Sequence, residues 1–106
     1  MPREDRRILF ENEEVYKAIY AMCFQRQLKL PPPGQLAKIT VDEGQAQIVL
    51  EMQNPLDKTE AKLEYPQDFV AAALMLYCRG CGIPLPKSAK KSVMLTEGQL
   101  MLRVQI

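Results

Sequence analysis

Two of the three cysteines, Cys78 and Cys81, are separated by two residues, a spacing that serves redox chemistry or metal binding in other proteins. A redox pair usually lies at a helix N-terminus, whose dipole lowers the thiol pKa, but this sequence predicts a helix that ends here. Zinc prefers four ligands, and Cys23 with this pair supplies three in a chain without histidine. We therefore expect structural thiols, no metal and no cofactor, with a zinc shared between two chains as the weaker alternative.

Three lysines lie between positions 87 and 91, and clustered bases can bind nucleic-acid phosphates or small anions. The full set of basic candidates for such a site is Arg79, Lys87, Lys90, Lys91 and Arg103. No aromatic residue is interleaved with the lysines, and no glycine-rich phosphate loop precedes them. Short lysine clusters are usually solvated loops, so anion binding is the alternative function here and not the first.

The sequence nominates no catalytic residue. It contains neither histidine nor tryptophan, and it lacks the glycine patterns of dinucleotide and P-loop sites. Its carboxylates are concentrated near the N-terminus, in predicted turns and in residues 54–66, away from any nucleophile that they could activate. We therefore predict that the chain is not an enzyme.

Two groups of apolar side chains exceed what one small core requires. Tyr16, Tyr20 and Phe24 follow one another at four-residue spacing on a predicted helix, beside the face expected to cover a sheet. Met94 and Met101 are predicted to oppose each other on the outward face of a hairpin, with Val49 on the corresponding face of an earlier hairpin. Tyrosine and phenylalanine are enriched at interfaces, so both groups are candidate partner-binding sites.

A repeat positions these groups. The triplet Glu-Gly-Gln occurs at 43–45 and again at 97–99, each time between two apolar-alternating segments. Upstream of each triplet lie a helical pattern and a proline-bearing link. The matched helix positions are Val15 with Val70, Ala18 with Ala73, Ile19 with Leu74, and Cys23 with Cys78.

The predicted helices differ in how much of their surface is apolar. The first is expected from an N-cap at Asn12 to about Gln27, where the proline link stops it. The second begins near Pro66 and is apolar on all sides from Phe69 to Cys78, as a helix buried on most sides would be.

Both hairpins are predicted to turn on a two-residue Glu-Gly loop. In the first, this loop places Val41 opposite Ala46 and Ile39 opposite Ile48. The inward positions predicted for the second hairpin are Val93, Leu95, Leu100, Leu102, Val104 and Ile106.

These elements predict an α+β single domain over residues 1–106, a tandem αββ repeat in the order αββαββ. The repeats cover about 13–53 and 67–106. Residues 1–12 are expected to form a frayed arm, and 54–66 a connector with room for a short edge strand. The two hairpins should form one four-stranded antiparallel sheet with both helices on one face.

Composition limits the functional classes. The chain has 47% hydrophobic and 25% charged residues with a net charge of +1, typical of a globular domain with no strong attraction to nucleic acid or membrane. We find no signal-peptide pattern and no apolar run that could span a bilayer, and we predict a cytoplasmic protein.

The predicted function is a small protein-interaction module of the bacterial adaptor or regulator type that forms a homodimer. A nucleic-acid or anion-binding module is the alternative, and a small-molecule sensor with a pocket between helices and sheet is the weaker one.

Overall fold

The computed structural model describes residues 4–87 and 89–106. Its elements, in chain order, are β1 (Asp5–Phe10), α1 (Asn12–Gln25), β2 (Gln35–Asp42), β3 (Gln47–Asn54), β4 (Thr59–Pro66), α2 (Gln67–Gly80), β5 (Lys90–Thr96) and β6 (Gln99–Gln105). The order βαββ therefore occurs twice, where the sequence predicted αββ.

The six strands form two antiparallel sheets, ordered β1-β6-β5 and β2-β3-β4. The prediction of one four-stranded sheet is wrong, because the two hairpins lie in separate sheets. Strand β1 adds to the hairpin β5–β6, while β4 adds to the hairpin β2–β3. Each first strand thus pairs with the hairpin of the other half, where it satisfies backbone N–H and C=O groups of β6 and β3.

The two additional strands come from a segment expected to be a frayed arm and from a connector in which a short edge strand was allowed. Strand β1 lies in the predicted arm, and β4 in the predicted connector. Both are edge strands, and both carry charged residues, such as Arg7 in β1 and Lys62 in β4. Charge on an edge strand discourages pairing with further chains, which argues against a dimer that extends either sheet at β1 or β4.

The N-cap of helix α1 lies one residue earlier than predicted. Glu11 is the N-cap and forms a capping box with Glu14, whose Oε1 accepts a hydrogen bond from the Glu11 N–H at 3.0 Å. The predicted cap, Asn12, instead donates from its amide nitrogen to the Leu36 carbonyl at 3.1 Å. The helix ends two residues before the predicted position, because Gln27 adopts a left-handed φ of 56°.

The first hairpin has a longer loop than predicted. Residues 43–46 form the turn, so Val41 lies opposite Ile48 and the predicted pairing with Ala46 is wrong. The Asp42 carboxylate accepts a hydrogen bond from the Gln45 N–H at 3.3 Å, and Ala46 takes a positive φ of 53°. The Asp42 carboxylate, which precedes the predicted two-residue Glu-Gly loop, therefore stabilises the longer turn.

The second hairpin is as predicted at its turn. Glu97 and Gly98 are its two loop residues, with φ values of 51° and 79°, as in the type I′ turn that suits the twist of paired strands. Met94 lies opposite Met101, which confirms that pairing.

The helices pack antiparallel against each other. The Tyr77 hydroxyl of α2 lies 3.4 Å from Glu14 near the start of α1, and the Arg26 guanidinium just after α1 lies over Phe69 near the start of α2. Both helices also contact strands of both sheets, so one apolar cluster joins all layers. Its fully buried members include Val15, Ile19, Ile48, Leu50, Val70, Leu74, Leu100, Leu102 and Val104.

Candidate protein-interaction surface

The surface of α1 that faces away from the core carries two exposed aromatic side chains. Tyr20 is 40% exposed and Phe24 is 71% exposed, and their four-residue spacing places them on one stripe. We call this pair the aromatic ridge. The third predicted anchor, Tyr16, is half-buried and donates its hydroxyl proton to the Pro32 carbonyl at 3.0 Å, so the proline link covers it.

A groove between the two helices lies on the other side of α1 from the ridge, because its residues Met22 and Arg26 are each two positions from a ridge residue. Its lining consists of Met22, Gln25, Arg26, Ala72, Met75, Leu76 and Arg79. We call it the interhelical groove. It has a volume of about 470 Å³ and is open to solvent, so it resembles a place for side chains of another protein more than an enclosed ligand cavity. The sequence predicted α2 to be apolar on all sides, but not this groove, which depends on how the helices pack.

The groove has an apolar floor and a positive rim. The Arg26 guanidinium lies 5.9 Å from the centroid of the Phe69 ring, a cation–π distance that holds it in place, and Arg79 projects from the last turn of α2. No carboxylate lines the groove. Within residues 4–87 and 89–106, neither arginine forms an ion pair. Both guanidinium groups therefore have donors that a partner carboxylate can accept.

A second apolar patch lies on the outer face of the β1-β6-β5 sheet. Leu9, Met101 and Met94 are in register across the three strands; Leu9 is 54% and Met94 44% exposed, whereas Met101, between them, is buried at 7% exposure. The sequence missed Leu9 because its strand was expected to be an arm, although the apolar triplet 8–10 was a signal for it. Val49 lies in the other sheet and does not extend this row.

The five candidate basic residues do not converge on one site. The guanidinium of Arg103 binds both carboxylate oxygens of Asp5, with distances of 3.0 and 2.7 Å, and these hydrogen bonds lower the pKa of Asp5. Lys90 and Lys91 are consecutive in β5 and point to opposite faces of the sheet. The remaining two are Lys87, which is exposed in the loop before β5, and Arg79, which lines the interhelical groove. The neighbouring Ser88 lies outside the described residues.

The cysteines divide into two buried thiols and one exposed thiol. Cys23 and Cys78 lie in the apolar core, and burial raises the pKa of both. The same environment raises the pKa of Tyr65 to about 12, through burial and then through its contact with Cys23. Cys81 caps the C-terminus of α2 and is exposed.

We expect one thiol per native chain to react rapidly with an aromatic disulfide reagent at pH 8, and all three to react after unfolding. The reason is that Cys23 and Cys78 are buried and their raised pKa values reduce the thiolate fraction, whereas Cys81 is accessible. Absorbance of the released thiol measures both stages, and Cys81→Ser should abolish the rapid one. Two rapid equivalents in the native protein would contradict this placement of the thiols.

Among the residues that the structure describes, no three His, Cys, Asp or Glu side chains are grouped so that they could hold a metal ion. In the same part of the chain, no helix has the length and apolar character needed to cross a membrane. Among the described residues, the structure therefore groups no sequence candidates into a metal-binding cluster, and it places the aromatic ridge and the interhelical groove on different sides of α1. Comparisons with protein-family models, with curated proteins and with solved structures found no match to this chain.

Proposed function

We propose that this chain is a small, non-catalytic protein-interaction module of the bacterial adaptor or regulator type, which acts in the cytoplasm and self-associates. One observation carries the proposal: an aromatic ridge, with Tyr20 40% and Phe24 71% exposed, lies on the side of α1 that faces away from the core. Removing a side chain of this size from water contributes about 1.5–3 kcal/mol, which favours a partner at this position. Contiguous exposed apolar surface on a protein usually marks an interaction site.

The alternatives find less support in the geometry. A nucleic-acid site would need the basic side chains on one surface, but Arg103 is bound to Asp5 and the two strand lysines diverge. A small-molecule sensor would need a cavity that encloses most of its ligand, whereas the interhelical groove is open. A solvent-facing aromatic ridge suits a protein surface best.

The test compares two baits in lysate from the native host. One is the full chain, and the other carries Tyr20→Gln and Phe24→Gln, which keep helix propensity while removing the aromatic rings. Proteins that depend on the ridge should be captured by the first bait and lost from the second, after nuclease treatment and equally at 50 and 200 mM salt. Apolar docking changes little with salt, while phosphate binding by several bases weakens steeply over roughly this range.

Capture of the same proteins by both baits would contradict a role for the ridge. Retention of nucleic acid at low salt, with no protein left after nuclease, would support the anion-binding alternative instead. Leu56→Gln serves as the matched control, because this side chain is 95% exposed in the β3–β4 turn, and it should leave capture unchanged.

A further inference from the structure

We infer that the interhelical groove binds an amphipathic helix of a partner protein, in which carboxylates flank the apolar side chains. The apolar side chains of that helix occupy the floor of the groove, and its carboxylates pair with Arg26 and Arg79. The groove and the aromatic ridge lie on different sides of α1. The groove is therefore a second binding surface, which goes beyond the ridge-dependent binding of the proposed function and does not require it.

The charge of the groove selects an acidic partner. Arg26 and Arg79 are both exposed at its rim, and the ion pairs within residues 4–87 and 89–106 involve other basic residues. The described lining of the groove also contains no carboxylate. An arginine can bind a carboxylate through two parallel hydrogen bonds, whereas a basic partner would bring like charges together. Acidic groups beside apolar side chains are thus complementary to this groove.

The separation of the two arginines sets the spacing of those acidic groups. The Arg26 guanidinium lies over Phe69 near the start of α2, and Arg79 lies in the last turn of the same helix. The helix rises about 15 Å between Phe69 and Arg79, and because a long helical side chain leans toward the N-terminus, the guanidinium groups are on the order of 10 Å apart. A partner helix that lies along α2 spans this distance in about two turns. Its two carboxylates should therefore be about seven residues apart.

The floor of the groove suits a helix and not an extended segment. Its apolar residues Met22, Ala72, Met75 and Leu76 all lie in α1 or α2, where backbone N–H and C=O groups are paired within the helix. An extended segment would find no backbone partner here, while a helix pairs its own backbone groups. The volume of about 470 Å³ is enough for several apolar side chains from one helix face.

A second copy of this chain fits the groove less well than a different protein does. The outward side of α2 already lines the groove, which leaves the exposed stripe of α1 as the helical surface that a second copy could offer. That stripe carries Lys17, whose ammonium group lies 3.2 Å from the Glu13 carboxylate. Lys17 would meet two arginines in the groove, and this like-charge contact disfavours a second copy.

Two matched peptides test the charge preference on the full chain. Each has about 18 residues, is stapled to hold a helix, and carries leucines at the spacing of one helix face. The acidic peptide has two glutamates about seven residues apart beside the leucines, and the basic peptide has lysines in their place. By fluorescence anisotropy, the acidic peptide should bind with a Kd in roughly the tens of micromolar, and the basic peptide at least about 10-fold more weakly.

Reversing the charge of the groove should reverse this preference. The variant with Arg26→Glu and Arg79→Glu alters two exposed positions and should bind the basic peptide about 10-fold more tightly than the acidic one. The matched control carries Lys58→Glu and Lys87→Glu, which make the same change in net charge at two exposed lysines outside the groove lining. This control should keep the preference of the unaltered chain. Circular dichroism confirms that both variants are folded.

The location of the bound peptide is measured by methyl nuclear magnetic resonance. The methyl signal of Met75, which lines the groove, should shift when the acidic peptide binds, and that of Met94 on the other sheet should not. The variant with Tyr20→Gln and Phe24→Gln should bind the acidic peptide as the unaltered chain does. Loss of binding in this variant would overturn the groove site and leave the ridge and the proposed function standing.

Several other results would overturn the inference. They include equal binding of the two peptides, no binding of either at about 1 mM, and a groove variant that keeps the original preference. A Met75 signal that shifts when the chain alone is diluted would assign the groove to a second copy. Tighter binding of a single-stranded oligonucleotide than of the acidic peptide, with the same Met75 shift, would assign the groove to nucleic acid.

Discussion

Two fragments, residues 1–56 and 57–106, are expected to be unfolded in isolation and to recover the native far-ultraviolet circular dichroism spectrum when mixed in equal amounts. The cut lies in the turn between β3 and β4, at the exposed Leu56, where no ladder pairing is lost by cleavage itself. Each fragment holds one hairpin, one helix and one strand whose partner is in the other fragment. A single helix on a two-stranded hairpin buries too little apolar surface to fold independently.

Recovery of the native spectrum on mixing should depend on β1 and β4, the two strands that pair with strands of the other fragment. A first fragment that lacks residues 1–10 has no β1, so the β1-β6-β5 sheet stays incomplete and the mixture should remain unfolded. Cooperative thermal unfolding of either fragment in isolation would contradict the shared core. Recovery without residues 1–10 would show instead that β1 contributes little to the fold.

The second large effect is expected for Phe10→Ala. Phe10 is 2% exposed at the end of β1, and its ring meets Tyr77 of α2 edge-on, with centroids 6.2 Å apart. Truncating a buried phenylalanine lowers the free energy of unfolding by about 3–5 kcal/mol, because transfer energy is lost and a cavity is left. Most domains have only about 5–15 kcal/mol in total, so urea denaturation should show a greatly reduced midpoint.

Leu9→Ala is the matched control for Phe10→Ala. It removes an apolar side chain from the adjacent position of the same strand, but this side chain is on the outer face and 54% exposed. Its effect should stay below about 1 kcal/mol. Equal effects at the two positions would indicate that residues 5–10 do not dock as an ordered strand.

Periodicity was sufficient to predict the helices and most inward positions of the hairpins, although Ile106, which was predicted to point inward, follows β6 and is 50% exposed. The helical spacing of Val15, Ala18, Ile19 and Met22 identified residues that are all buried in α1, and the matched residues of α2 are buried as well. The opposition of Met94 and Met101 followed from a two-residue turn. These features are determined by residues that are close in the sequence, so local sequence patterns can predict them.

The pairing of the strands could not be predicted in the same way. Strand β1 has two arginines before its apolar triplet, and as an edge strand of six residues it shows no clear alternation. Strand β4 did carry a signal, since Ala61, Leu63 and Tyr65 alternate and pair with residues of β3, and a short edge strand was allowed there, but its pairing with the first hairpin was not predicted. Nothing local specifies that β1 pairs with β6, because the two strands lie at opposite ends of the described chain.

The candidate site was predicted in part for the same reason. The four-residue spacing of Tyr20 and Phe24 identified the ridge, whereas the cover over Tyr16 depends on where the proline link returns. The groove and its two arginines depend on the packing of α1 against α2, which single-helix patterns do not determine.

The pairing of Asp5 with Gln105 also sets an order of events during folding. The other three ladders join strands that follow one another through short turns, and hairpins of this kind form within microseconds. Strand β1 must close a loop that includes nearly the whole chain before it gains any contact, which makes it a late element. Contacts formed after the transition state slow unfolding and leave the folding rate nearly unchanged. We therefore expect the docking of β1, to which the exposed bidentate pair of Arg103 with Asp5 adds a small contribution, to lengthen the lifetime of the folded state without accelerating its formation.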